Sequence, residues 1–328
     1  MDNMTLEDWL VTPPDTPSPL HSHSQAEAQS QWTHEVSRTF CRDADGLPPS
    51  DIVLVALDDV LFYAHMDLVL GLSSNAFSGA LATIERDPEL ELPTARVPLH
   101  STVLNVVMHA LYGLSPAEYA PDFATLSAAV DALAAFAVPV PLVLHPPAPL
   151  FAALVAHAPS RPLDVYALAA RHDIEPLAID ASRFLLAIPL ARLTEHDACR
   201  IGGAYLRRLF FLHLGRVDAL KRLLATPPRT HRPTPKCDAA GQERVKSAWT
   251  LTAAYLLCDL KPDVTPDKLR ATLRPLLSSL WCAECRDVLS DRIDSLVAEW
   301  ATVKVRTILP FSFPIRLYAS CCVALLIG

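Results

Sequence analysis

From Asp51 to Leu81 the chain reads DIVLVALDDVLFYAHMDLVLGLSSNAFSGAL. DIVLVAL (51–57) is a continuous apolar run with β-branched residues, the pattern of a buried strand. Asp58-Asp59 interrupts it, and VLFYA (60–64) resumes it, which predicts a hairpin. Hairpin turns favour Gly at the second position, but Asp tolerates positive φ better than most residues. After His65 the period changes. Leu68, Val69 and Leu72, then Ala76, Phe77, Ala80 and Leu81, fall at helical intervals and predict two helices, the second capped by Ser73 or Ser74. ERDPELELPTA (85–95) reads as an acidic loop and RVPL (96–99) as a third short strand. Ser101 is placed to cap a helix whose Val103, Val106, Val107, Ala110 and Leu111 share a face, and Gly113 suits a left-handed C-cap.

Beyond this point the pattern is helical. An Ala-rich helix is predicted over 123–138, ended by VPVP, and HPPAP (145–149) connects it to helices at 151–158, 163–173 and 177–187. The longest apolar helix signal, 204–225, carries Gly215 as its expected break. TPPRTHRPTPKC (226–237) is a Pro-rich loop before three last helices near 242–258, 266–280 and 284–306. The fold class is therefore α+β: a small sheet capped by helices, followed by a mainly α-helical C-terminal region. Four segments are expected: 1–48 disordered, 49–145 the sheet-containing domain, 146–306 helical, and 307–328 an apolar tail. The first is rich in Pro, Ser, Thr, His and Gln and cannot offset its ordering entropy by burial. The tail's apolar run, 317–327, is about half the length that spans a bilayer. It reads as non-native, against the alternatives of a tail anchor or a palmitoylated Cys321–Cys322 pair.

Composition sharpens this picture. The chain has 9 Gly against 29 Pro in 328 residues, which argues against a glycine-rich phosphate cradle. Its net charge of −8 argues against nucleic acid as a partner. Arg207, Arg208, Arg216, Lys221 and Arg222 read as the solvated basic edge of a core helix rather than as a membrane-binding face. Eight cysteines are spread thinly, and MDNMTLEDWL lacks the basic start of a secretory signal. Both point to reduced thiols inside the cell, in cytoplasm or nucleus.

Candidate chemistry is sparse. Cys282-Ala-Glu-Cys285 is a single C-x-x-C; Cys237 lies upstream, and the place for a second pair is filled by Ala240. The main reading is two thiols packing as small apolar groups, with no metal and no cofactor. The alternative is a zinc site of Cys237, Cys282 and Cys285 with His231 as fourth ligand. His65, His109, His172 and His213 read as hydrogen-bonded structural histidines, and Asp58-Asp59 as turn chemistry. H-E-x-x-H, G-x-S-x-G, Walker and G-x-G-x-x-G motifs are all missing, so no enzyme is expected.

Asp51, Phe62, His65, Leu68, Leu70, Ser73, Phe77, Val97, Leu104, Leu111 and Tyr112 together resemble the pattern of a BTB/POZ domain. Asp59 stands where the family carries Gly, and Met66 where a basic residue often follows the histidine. RPLDVYALAARHDIEPLA (161–178) and AYLRRLFFLHLGRVDALKRLL (204–224) are similar to stretches of a fungal BTB-domain family. The resemblance implies a protein–protein interaction module, a homodimer or an adaptor, with a cullin-based ubiquitin ligase as one implied partner. It also implies cysteines at both 237 and 240, of which this chain has Cys237 and Ala240, a partial zinc site. A zinc-stabilised nuclear regulator is the alternative reading.

Overall fold

The computed structural model describes residues 35–307 apart from 43, 45–47, 88–89, 236 and 259. The expectations for residues 1–34 and for the tail with Cys321 and Cys322 lie outside the described residues. Strand β1 (Ile52–Val55) pairs antiparallel with β2 (Leu61–Ala64), with Val53 opposite Tyr63. Asp59 takes the turn at φ 57, as its position required. Helix α1 (Met66–Leu72) follows.

The second predicted helix does not form. Ala76, Phe77 and Ser78 adopt φ of 49, 54 and 56, a left-handed turn. Two side chains impose it. Ser73 Oγ accepts from the Phe77 amide at 2.9 Å and donates to the Phe136 carbonyl at 2.7 Å, while Asn75 Oδ1 accepts from the Ser78 amide. Phe77 is fully buried, its ring stacked on Phe136 with centroids 4.3 Å apart. The apolar spacing there marks burial rather than helicity.

The remaining strands are β3 (Glu85–Arg86) and β4 (Pro93–Arg96). β4 runs parallel to β1 and antiparallel to β3, giving the order β2-β1-β4-β3. The strand expected at 96–99 thus lies earlier, and the acidic loop contributes a strand of its own. Val97 still donates to the Val55 carbonyl and Leu57 to the Leu99 carbonyl, so the contact with β1 runs on past Pro98. Helix α2 (Ser101–Leu111) begins at Ser101 rather than after it. Its cap comes from the hairpin: the Asp58 carboxylate accepts from the Ser101 amide at 2.9 Å and from its hydroxyl at 2.7 Å. Burial pushes the Asp58 pKa up, and these bonds outweigh it, leaving it below the ordinary value. Gly113 ends the segment at φ 66 as expected.

Helices α3 (Phe123–Ala135), α4 (Val140–Val143), α5 (Pro149–His157), α6 (Pro162–Arg171), α7 (Glu175–Leu185) and α8 (Glu195–Ala225) complete the first part. One core holds the inner sheet face and these helices together, from Phe40 to Leu209. It crosses the boundary expected at 145. It also begins before 49: Phe40 is fully buried, its carbonyl accepts from Tyr63, and Val36 bridges Leu61. The Tyr166 hydroxyl, fully buried, donates to the Tyr205 carbonyl and fastens α6 to α8. The break in α8 falls at Gly202, at φ 74, and not at Gly215.

A second core lies between the end of α8 and helices α9 (Ala239–Cys258), α10 (Pro266–Leu273), α11 (Pro275–Ser278) and α12 (Ala283–Thr302). Trp249 and Trp300 fill it, their indole N–H groups donating to the Leu224 and Val264 carbonyls. The single helix expected at 266–280 is divided at Pro275, which cannot donate to the preceding turn. No described helix is long and apolar enough to cross a membrane.

Two stability outcomes follow from these joints. Asp58→Ala leaves α2 uncapped and lowers unfolding free energy by about 1 kcal/mol. Asp59→Asn, which keeps the tolerance for the left-handed turn and removes only an exposed ion pair with Arg96, changes it by less than about 0.5 kcal/mol. Urea midpoints check both. His109 and His213 are buried, and desolvation holds their pKa values below the ordinary histidine value. The unfolded chain therefore binds protons that the folded chain refuses, and stability is lost as pH falls below about 6.5. Replacing either histidine by Gln flattens that dependence if the fold is retained.

Candidate functional site

The Pro-rich loop after α8 carries His231 and Cys237. Thr234 and Cys237 exchange two backbone hydrogen bonds, at 2.9 and 3.0 Å, which folds the loop into a tight knuckle. Just beyond it Asp238 Oδ1 accepts from the Gly241 amide at the start of α9. A Cβ at Gly241 would meet that oxygen at 3.3 Å and the Cys237 sulfur at 3.5 Å, so glycine keeps this corner open. From the other side, Cys282 is the N-cap of α12 and Cys285 lies in its first turn. The C-x-x-C spacing puts both sulfurs at one helix end, facing the loop.

The four side chains converge, with ligand atoms all within 4.8 Å of one another. Cys237 Sγ lies 3.6 Å from Cys285 Sγ. His231 Nε2 lies 3.1 Å from Cys285 Sγ and 3.5 Å from Cys282 Sγ. The other ring nitrogen, Nδ1, is 2.6 Å from the Arg232 carbonyl and 3.2 Å from a Glu284 carboxylate oxygen. With Nδ1 donating, Nε2 turns its lone pair to the sulfurs. Cys237 and Cys285 are buried, and His231 and Cys282 half-buried.

The electrostatics are uneven. Backbone amides of Cys285 and Glu284 at the helix start hold Cys282 below the ordinary thiol pKa. Burial pushes Cys237 up, and burial with two neighbouring thiols pushes Cys285 to about 12. The bond to Arg232 raises His231. Three thiolates cannot share this space without a cation among them. The 3.6 Å sulfur separation is also far longer than a disulfide of about 2.04 Å, so Cys237 and Cys285 are thiols. The arrangement can bind a soft cation and has the ligand types of a tetrahedral site.

Sequence reasoning named these four residues as its minor reading. Cys285 packs in the second core and Cys282 against it, and the sulfur of Cys285 faces the other three groups. The fourth position comes from His231, six residues before Cys237, and not from the region of Ala240.

The residues that carry the BTB resemblance serve as fastenings. His65 accepts and donates between the Tyr112 hydroxyl, 2.7 Å from Nδ1, and the Pro48 carbonyl, 2.8 Å from Nε2. Asp51 Oδ1 accepts from the Met66 amide at 2.7 Å. Phe62 is buried, Leu68 packs on the first core, and Ser73 and Phe77 build the left-handed turn. His109 Nδ1 meets the Asn105 carbonyl, and His172 Nε2 lies 2.6 Å from Asp131. His213 has its Nε2 buried without a partner.

The basic set on α8 divides. Arg207, Lys221 and Arg222 are exposed, as the solvated-edge reading has it. Arg216 is buried instead. It donates to the carbonyls of Pro262, Val303 and Lys304 and lies 4.2 Å over the Trp300 ring. Sequence reasoning missed this role because the carbonyls it collects come from the chain beyond α9 and α12.

Comparison of the chain with protein-family models, with curated proteins and with solved structures found no match.

Thiol accessibility separates the cysteines. Alkylation of the native chain near neutral pH, read by peptide mass spectrometry, labels exposed Cys199 and Cys258 first. Cys237 and Cys285 react last, by at least about tenfold in rate, because burial and a raised pKa both withhold the thiolate.

Proposed function

We propose that this chain is a non-enzymatic protein–protein interaction module of the BTB/POZ type, acting as a homodimer or an adaptor. One observation carries the reading. Helix α1 is apolar at Met66, Leu68, Val69, Leu70 and Leu72, yet Val69 alone is fully buried, and Leu70 is 45% exposed. Met66, Leu68 and Leu72 pack on the first core but stay only partly buried beside Leu70, and this leftover apolar surface fits a face that a second copy covers.

Three features support the family part of the proposal. The hairpin leads into α1, the parallel partner β4 returns beside β1, and the motif residues His65, Asp51, Ser73 and Phe77 hold these pieces together. Asp58, His65 and His172, polar groups that an enzyme could use, are engaged as caps and struts. The six described cysteines are free thiols, which suits a reducing compartment, cytoplasm or nucleus. Recruitment of a cullin belongs to the same proposal and would use surfaces within 66–82 and 114–137. The cysteine–histidine cluster favours the zinc half of the alternative, a zinc-stabilised nuclear regulator; the net charge of −8 disfavours contact with nucleic acid.

Native mass spectrometry of the full chain in reducing buffer tests the self-pairing. A dimer is expected, and Leu70→Asp weakens it by at least about tenfold, or ~1.4 kcal/mol. A monomer at every concentration up to tens of micromolar overturns the homodimer.

A further inference from the structure

We infer that His231, Cys237, Cys282 and Cys285 bind one Zn²⁺ as a structural site that clamps the Pro-rich loop to the start of α12. This goes beyond the interaction reading and does not depend on it.

The distances carry the argument. In a tetrahedral zinc site, Zn–S of about 2.3 Å and Zn–N of about 2.05 Å place two sulfurs about 3.8 Å apart and a sulfur and nitrogen about 3.5 Å apart. The chain has 3.6 Å between Cys237 and Cys285, and 3.5 Å and 3.1 Å from His231 Nε2 to Cys282 and Cys285. Two of these three edges match a coordination tetrahedron and the third is shorter, while all four ligand atoms lie within 4.8 Å of one another.

The surroundings match as well. Zinc-bound histidines turn their second nitrogen to a carbonyl or carboxylate, which fixes the ring. Here Nδ1 meets both the Arg232 carbonyl and Glu284. Three thiolates and Zn²⁺ sum to −1, and the cluster sits at the N-terminus of α12, where the helix dipole favours negative charge. Four protein ligands fill a tetrahedron and leave no position for substrate or water, so the site is structural rather than catalytic. Its softness selects zinc over magnesium or calcium.

The fold also gives the clamp a task. Among the described residues of 226–238, between α8 and α9, there is no strand or helix beyond the Thr234–Cys237 bridge. Loops of that length in compact modules need fastening. The second core that the loop borders is the smaller of the two, the condition in which small modules recruit a metal. Binding joins residues about fifty positions apart, and the loss of loop freedom in the unfolded chain adds to the stability gained.

The full chain, purified in reducing buffer without chelator, is expected to carry about one zinc per chain by elemental mass spectrometry. Cobalt exchanged into the site gives the visible absorption of a tetrahedral thiolate complex. Chelation lowers the melting temperature by at least about 5 °C. Cys282→Ser and Cys285→Ser lose the zinc, while Cys258→Ser, exposed on α9, keeps it. Should the first two fail to fold, His231→Cys decides: it retains the metal and strengthens the cobalt–thiolate charge-transfer band. A folded wild-type chain with no stoichiometric zinc and no tetrahedral cobalt spectrum overturns the site. Zinc retained unchanged by folded Cys282→Ser overturns the ligand set, and zinc removed with no change in melting temperature overturns the structural role.

Discussion

Strand β1 is buried on both faces, and the first part of the chain is arranged around that fact. Ile52 and Leu54 point into the main core, while Val53 and Val55 pack with Leu61 in a small cluster on the other face. A strand with no solvated face must satisfy its backbone on both edges as well. β2 takes one edge, β4 the other, and Leu57 donates onward to Leu99. The same short hairpin then delivers Asp58 to the start of α2. Sheet order, helix start and hairpin turn are thus three consequences of one buried strand, and a change that exposes β1 would loosen all three.

The two cores are held by different means. The first is dominated by close-packed aliphatic and aromatic side chains, with polar groups used at its seams. The second relies more on long side chains reaching carbonyls. Arg292 donates to Leu223 and Thr226 at the end of α8, Arg216 gathers three carbonyls, and Trp249 and Trp300 each satisfy one more. Each such bond contributes about 1 kcal/mol net, though leaving its carbonyl unpaired would cost more. A cysteine–histidine clamp belongs with this style of construction, in which specific fastenings supply what apolar area does not.

How much of this was legible in the sequence depended on the range of the deciding contact. The hairpin was legible because an apolar run, two acids and a second apolar run are local. Gly113 and Asp59 were legible for the same reason. The left-handed turn at Ala76–Ser78 was not, since the Phe136 carbonyl that Ser73 meets lies 63 positions away. Neither was the cap of α2, supplied from 43 positions away. The kink in α8 fell at the glycine with positive φ, and hydrophobic period alone does not say which of Gly202, Gly203 and Gly215 that is. At the cluster, C-x-x-C was plain, and His231 was the nearest candidate ligand. Whether the loop would fold back to use it depended on the Thr234–Cys237 knuckle, which has no signature in composition.

Helix α8 gives these observations a mechanical connection. Its first half, through Tyr205 and Leu209, belongs to the sheet-bearing core, and its end, through Leu220 and Leu224, belongs to the second. The loop with His231 and Cys237 leaves directly from that end. A fastening that fixes the loop therefore also fixes where α9 and α12 pack on α8, while on α1 Leu70 stays exposed. On the two proposals together, the chain would divide its labour between an apolar face near the hairpin for a partner and a helical region held in one arrangement by its fastenings.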